Sequence, residues 1–139
     1  MNCDDLIRQL EDCTLSAAAF DHRAHVQAGF TYLRRHGFAG ALGAMASALR
    51  RFAAHHGKDG LYHETVTAAF LALIHQRMAE DLAARGQQIA LADAQAMNWD
   101  HFAAAHPDLF AGDLLTRYYS RDTLRSDLAR NCFVLPGAS

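Results

Sequence analysis

The stretch Leu61–Gly86, LYHETVTAAFLALIHQRMAEDLAARG, decides how the chain folds. It contains six alanines and three further leucines after Leu61, against one valine and one isoleucine, a balance that favours helix over strand. Val66, Phe70, Leu73 and Ile74 recur at helical spacing and mark one face. Ala68, Leu71 and Ala72 widen that stripe, so the helix is expected to be buried on more than one side. Charge appears only towards the end, at Arg77, Glu80, Asp81 and Arg85, and Gly86 supplies a stop. Lys58-Asp59-Gly60 reads as the turn that precedes it. The spacing therefore predicts a long helix from Leu61 to about Arg85.

The flanking segments carry the same signal. Leu6, Ile7 and Leu10 predict a short helix over Asp4–Asp12. Ser16 or Asp21 can cap a second one, with Val26, Phe30 and Leu33 on its inner face and Gly37 as its stop. Phe38–His56 forms a third, ended by Gly57. After the long helix, Gln87–Asn98 is either a loop or a short helix. Asn98 or Asp100 starts a short helix that His106-Pro107 ends, Asp108–Tyr119 is expected to be helical again, and Ser120 and Ser126 look like caps of two final turns. Phe133–Pro136 reads as an extended, docked tail. With 28 alanines, 17 leucines and only six isoleucines and valines together, the 139 residues read as an all-α, single-domain bundle of four main helices plus short C-terminal ones, domain limits 1–139.

Bulk chemistry narrows the partners. Formal charge is −2, which argues against a broad electrostatic grip on nucleic acid or anionic lipid. Cys3, Cys13 and Cys132 make neither a disulfide framework nor a CxxC pair. The acidic, amphipathic N-terminus is not a signal peptide and no apolar run is long enough to span a bilayer, so a cytoplasmic protein without membrane partners is expected. An alanine-rich face leaves a homodimer open as a partner, although no heptad marks a seam.

One imbalance points to chemistry: nine histidines against three glutamates. His36, His55, His56 and His106 fall at expected helix ends, and His101 on a surface turn. His22 and His25, in FDHRAH, lie three apart on one side of a helix start. His63 opens the long helix beside Glu64, the one glutamate in apolar company, which there needs a partner or pays a desolvation cost. Imidazoles and a carboxylate suit a divalent metal ion (zinc, iron, nickel or copper) with His22, His25 and His63 as ligands. Adjacent helical residues diverge by about 100°, so Glu64 is better placed as a general base, with Tyr62 and Thr67 adding hydrogen bonds. The expectation is a small metal-dependent enzyme acting on a small-molecule substrate, with hydrolase, lyase or oxidoreductase chemistry all open. The alternative is a metal-free acid/base enzyme or small-molecule-binding domain using the same cluster. His75, Tyr118 and Tyr119 are further candidates for the site. No phosphate loop, GxSxG elbow or HExxH helix is present.

FxHxxH (Phe20, His22, His25), then Tyr32-Leu33, YHETxT (Tyr62–Thr67), Trp99 with Phe102, Tyr118-Tyr119-Ser120 and the closing Phe133–Pro136 together resemble a family of small bacterial helical proteins. The resemblance spans Phe20 to Pro136. It implies a single helical domain and no particular activity.

Overall fold

The computed structural model describes residues 1–87 and 90–137; Gln88 and Ile89, within the undecided stretch Gln87–Asn98, lie outside the described residues. Those residues are all-α, with no strand among them. Helix α1 (Cys3–Glu11) starts where Asn2 Oδ1 accepts the Asp5 N–H at 2.8 Å. Its apolar face, Leu6, Ile7 and Leu10, is buried in the core. The second and third expected helices form one segment, α2 (His22–His55), broken at Gly37. There φ is 74° and ψ −178°, a conformation open to glycine and strained for any residue with a Cβ. Asp21 caps its start, accepting from the Ala24 N–H at 2.9 Å.

Helix α3 (Glu64–Ala84) begins three residues later than its apolar pattern suggests, because His63 is the cap rather than the first turn. Its fully packed face is Thr65, Ala68, Leu71, Ile74, Met78 and Leu82. Val66 and Phe70, expected to lead the core stripe, are half-buried, and Ala72 is exposed. Steps of three and four through Leu71 define a stripe that keeps Ile74, Ala68 and Leu71 from the expected face but is centred on its flank rather than on Val66 and Phe70, and polar Thr65 hides its start in the sequence.

Short elements close the molecule. Helix α4 spans Leu91–Gln95, and α5 (Trp99–Ala105) is capped by Asn98. The helix expected over Asp108–Tyr119 is instead two 3-10 turns, Pro107–Phe110 and Leu114–Arg117. Gly112-Asp113 falls between them, where weak helix formers let the chain break. Ser120 and Ser126 cap α6 (Arg121–Arg125) and α7 (Asp127–Asn131) as expected. Phe30 packs against Trp99 and Phe102 with ring centroids 5.4 and 5.0 Å apart, and the Arg23 guanidinium lies 4.7 Å over Phe110.

Two clamps hold these short elements on α3. Arg77 makes a two-pronged ion pair with Asp108 at 3.0 and 2.7 Å, and its hydrogen bonds hold the Asp108 carboxyl down at about 2. Arg77 Nη1 also donates to His106 Nδ1 at 3.2 Å, leaving His106 Nε2–H to donate to Asp81 at 2.8 Å. Together they seat the Pro107–Phe110 turn and its fully buried Leu109. The other clamp is Thr65. Its hydroxyl donates to the Cys132 carbonyl at 2.8 Å and accepts the Val134 N–H at 3.0 Å, while Tyr119 donates to the Val134 carbonyl at 2.7 Å. No helix among the described residues is long and apolar enough to cross a membrane.

Candidate functional site

The break at Gly37 turns α2 so that residues from both of its halves, together with α3, enclose a cavity of about 280 Å³. Val26, Gly29, Met45, Leu49, Phe70 and Ile74 wall it, and His22, His25 and Thr67 supply its polar side chains. Gly29 suits the wall: a Cβ there would lie 3.0 Å from Ile74 Cδ1. A neighbouring cavity of about 290 Å³ shares His25, Leu49, Val66 and Thr67 and adds Phe20, Lys58, Tyr62 and His63. His25 therefore stands between two spaces that meet along α3.

Hydrogen-bond partners assign a tautomer to His22, His25 and His63. His25 Nδ1–H donates to the Asp21 carbonyl at 2.8 Å, and the ring stacks on Phe20 with centroids 3.9 Å apart. Its Nε2 has no partner among the described residues. The residue is exposed to solvent as well as to the cavity, although many protein atoms stand around the ring. That crowding disfavours the imidazolium and lowers its pKa, with the Asp21 carbonyl opposing the shift. His22 Nε2–H donates to the Leu109 carbonyl at 3.0 Å, and its ring meets the edge of Phe70 at 5.1 Å. The Pro107–Phe110 turn, held by Arg77, thus orients His22.

His63 is placed differently. Its Nδ1 accepts the Val66 N–H at 3.1 Å as the cap of α3, and its Nε2–H donates to the Leu124 carbonyl at 2.6 Å. Both nitrogens are engaged, so the expected trio of His22, His25 and His63 does not converge with a ligand position on each. His22 and His63 line different cavities. No group of three or more histidine, cysteine, aspartate or glutamate side chains among the described residues is placed to hold a metal ion.

Glu64 lines neither cavity. It accepts from the Tyr62 hydroxyl at 2.8 Å and from Arg50 Nη2 at 3.2 Å, and Arg50 lies 4.6 Å over the Tyr62 ring. The partner that the sequence required for this carboxylate is Arg50 of α2, and the side chain is 27% exposed. Burial and the bond to Glu64 push the Tyr62 phenol up to about 12, so it holds its proton at neutral pH. Thr67 spends its proton on the His63 carbonyl at 2.8 Å but does reach both cavities. Of the further candidates, His75 packs against Phe38, Tyr119 ties down the tail, and Tyr118 is exposed.

Sequence reasoning passed over three features. Arg50-Arg51 reads as a solvated pair, with nothing local to mark Arg50 as the partner of Glu64. The Leu109 carbonyl is a backbone group and leaves no trace in sequence. Phe20 is the exception: its place five residues before His25, inside a motif already singled out, is the one signal that could have suggested the stacked pair.

A pH dependence follows from the partial desolvation of two imidazoles. His25 and His75 are both lowered by desolvation, so as pH falls through 6.5 the unfolded chain gains protons that the folded chain resists. Stability to urea should therefore decline between about pH 7 and pH 5. The decline should be shallower in a His25→Gln/His75→Gln double variant; identical slopes would remove these two groups as its cause.

Compared with family models, curated proteins and solved structures, the chain matches none.

Proposed function

We propose that this protein binds a small molecule in the cavity between α2 and α3, with His25 as its main polar contact. The observation that carries the reading is the cavity itself: about 280 Å³, apolar on its walls, with the distal nitrogen of a positioned imidazole at the junction with a second space. Such a space approaches the size of ordinary ligand pockets, and a few convergent polar groups on apolar walls are their usual make-up. With Nδ1–H held by a backbone carbonyl, His25 Nε2 is set to accept a hydrogen bond or a proton from a bound molecule. Glu64 and Tyr62 have no part in this reading.

A metal-bound form of the same site would keep His22 and His25 as ligands, each already oriented by a backbone carbonyl on its other nitrogen. It would lack His63.

The test is a screen of apolar fragments by thermal shift, with zinc and ferrous iron in separate arms. Binding is expected to raise the melting temperature of the wild type in the presence of chelator. It is expected to fail in Val66→Phe, which places a ring where Val66 borders both cavities. Fragments that stabilise Val66→Phe equally would show that the cavity is not the site. Stabilisation by metal alone, lost in His22→Ala and His25→Ala, would favour the metal-bound form.

A further inference from the structure

The polar groups of the first cavity share a property that no single one of them reveals. Each has already given away its proton to the protein. His22 donates Nε2–H to the Leu109 carbonyl, His25 donates Nδ1–H to the Asp21 carbonyl, and Thr67 donates its hydroxyl proton to the His63 carbonyl. What they can still offer is lone pairs: His22 Nδ1, His25 Nε2 and Thr67 Oγ1. Among the described residues no lysine, arginine, aspartate or glutamate lines this cavity; Lys58 borders the second space, and Arg50 lies outside both, over Tyr62 and paired with Glu64. The site accepts hydrogen bonds and donates none from its side chains.

We infer that the ligand of this cavity is a compact, neutral alcohol or phenol, whose hydroxyl donates to His25 Nε2 while its apolar body fills the space against Phe70, Met45 and Ile74. This rests on the small-molecule reading above and names the ligand class. A carboxylate or phosphate would enter apolar walls with no donor to meet its charge, and an ammonium would enter with no counter-charge. An ether of the same shape would bring an acceptor against an acceptor. Size agrees: the cavity is about twice the roughly 150 Å³ apolar cavity that takes up benzene, which suits a two-ring body.

A matched series on one skeleton tests this: 2-naphthol, 2-methoxynaphthalene, 2-naphthoic acid and 2-naphthylmethylamine. Their affinities are measured by calorimetry on the full chain at about pH 7.5, above the ordinary histidine range. The expected order has 2-naphthol first, about tenfold tighter than its methyl ether, with the acid and the amine weaker still. In His25→Ala the naphthol and the ether should bind within about twofold of each other, because only the hydroxyl's partner has gone. Nuclear Overhauser contacts from the naphthol ring to Val66 and Phe70 in the wild type place the ligand, and they decide the matter should His25→Ala not fold. Equal binding of naphthol and ether, or preference for the acid or the amine, overturns the ligand class and leaves the cavity reading standing. Failure of all four compounds to bind overturns both.

Discussion

Thr65→Val is expected to destabilise the fold by about 2–4 kcal/mol in urea denaturation, although it changes one hydroxyl to a methyl and keeps the volume. Thr65 has no exposed surface. Its oxygen serves two backbone groups of the C-terminal segment, the Cys132 carbonyl and the Val134 N–H. Removing it leaves both without that partner on the buried Thr65 side, and each such loss costs roughly 1–3 kcal/mol. The tail, otherwise held by the Tyr119 hydroxyl and the Gly137 N–H bond to the Tyr118 carbonyl, should loosen first. Hydrogen exchange should then rise at Val134 before it rises in α3. Thr65→Ser, which keeps the hydroxyl, should recover most of the loss. A Thr65→Val protein as stable as the wild type would show that the tail does not depend on this clamp.

His63→Ala is expected to cost about 2–3 kcal/mol, for a reason unrelated to metal binding. The side chain caps α3 through Nδ1, and losing a cap costs about 1 kcal/mol. Its Nε2–H also ties the Leu124 carbonyl of α6 to the start of α3, a further bond worth about 1 kcal/mol and more where the carbonyl stays buried. His63→Asn separates the two, since asparagine caps well but is too short to reach α6. It should recover roughly half of the loss. Binding of fragments in the first cavity should survive in His63→Asn, because His63 does not line that cavity. If ligand or metal binding disappears in His63→Asn while stability is unchanged, His63 belongs to the site after all and the clasp is not its role.

These two residues give the YHETxT motif an account that differs from the one its composition suggests. His63 caps α3 and holds α6, Glu64 pairs with Arg50 of α2, and Thr65 holds the tail. Three consecutive side chains reach three different parts of the chain. Of the residues first picked out for chemistry, His22, His25 and Thr67 border the cavity between α2 and α3. The FxHxxH segment thus contributes both histidines to the candidate site, with Phe20 stacked on the second.

Much of the secondary structure was legible because its causes are local. Asp21, Asn98, Ser120 and Ser126 cap the helices expected of them, since an N-cap bonds a backbone N–H two or three residues away. Gly37 marks a break because glycine is required at a φ of 74° whatever surrounds it. Local rules failed where a second part of the chain intervenes. His63 looked like the first residue of a helical stripe, but its side chain turned to cap that helix and to meet a carbonyl 61 positions away. The Asp108–Tyr119 segment gave way to two tight turns, the first of them held by Arg77, 31 positions away from Asp108.

The sequence by itself determined that the chain is helical, where most of its helices start and stop, and that histidine is its distinctive resource. Those properties depend on propensity, periodicity and capping, which act over a few residues. Only the tertiary structure decided which histidines have a nitrogen to spare. Each imidazole has two; for His25 and His63 one is held locally, by the Asp21 carbonyl and the Val66 N–H, but the Leu109 carbonyl that takes His22 and the Leu124 carbonyl that takes the second nitrogen of His63 are placed by the whole fold. Of these partners, the Leu109 carbonyl lies 87 positions from the histidine it fixes. A main-chain group carries no residue-type signal, so the difference between a structural clasp and a candidate ligand contact becomes readable only once the helices are packed.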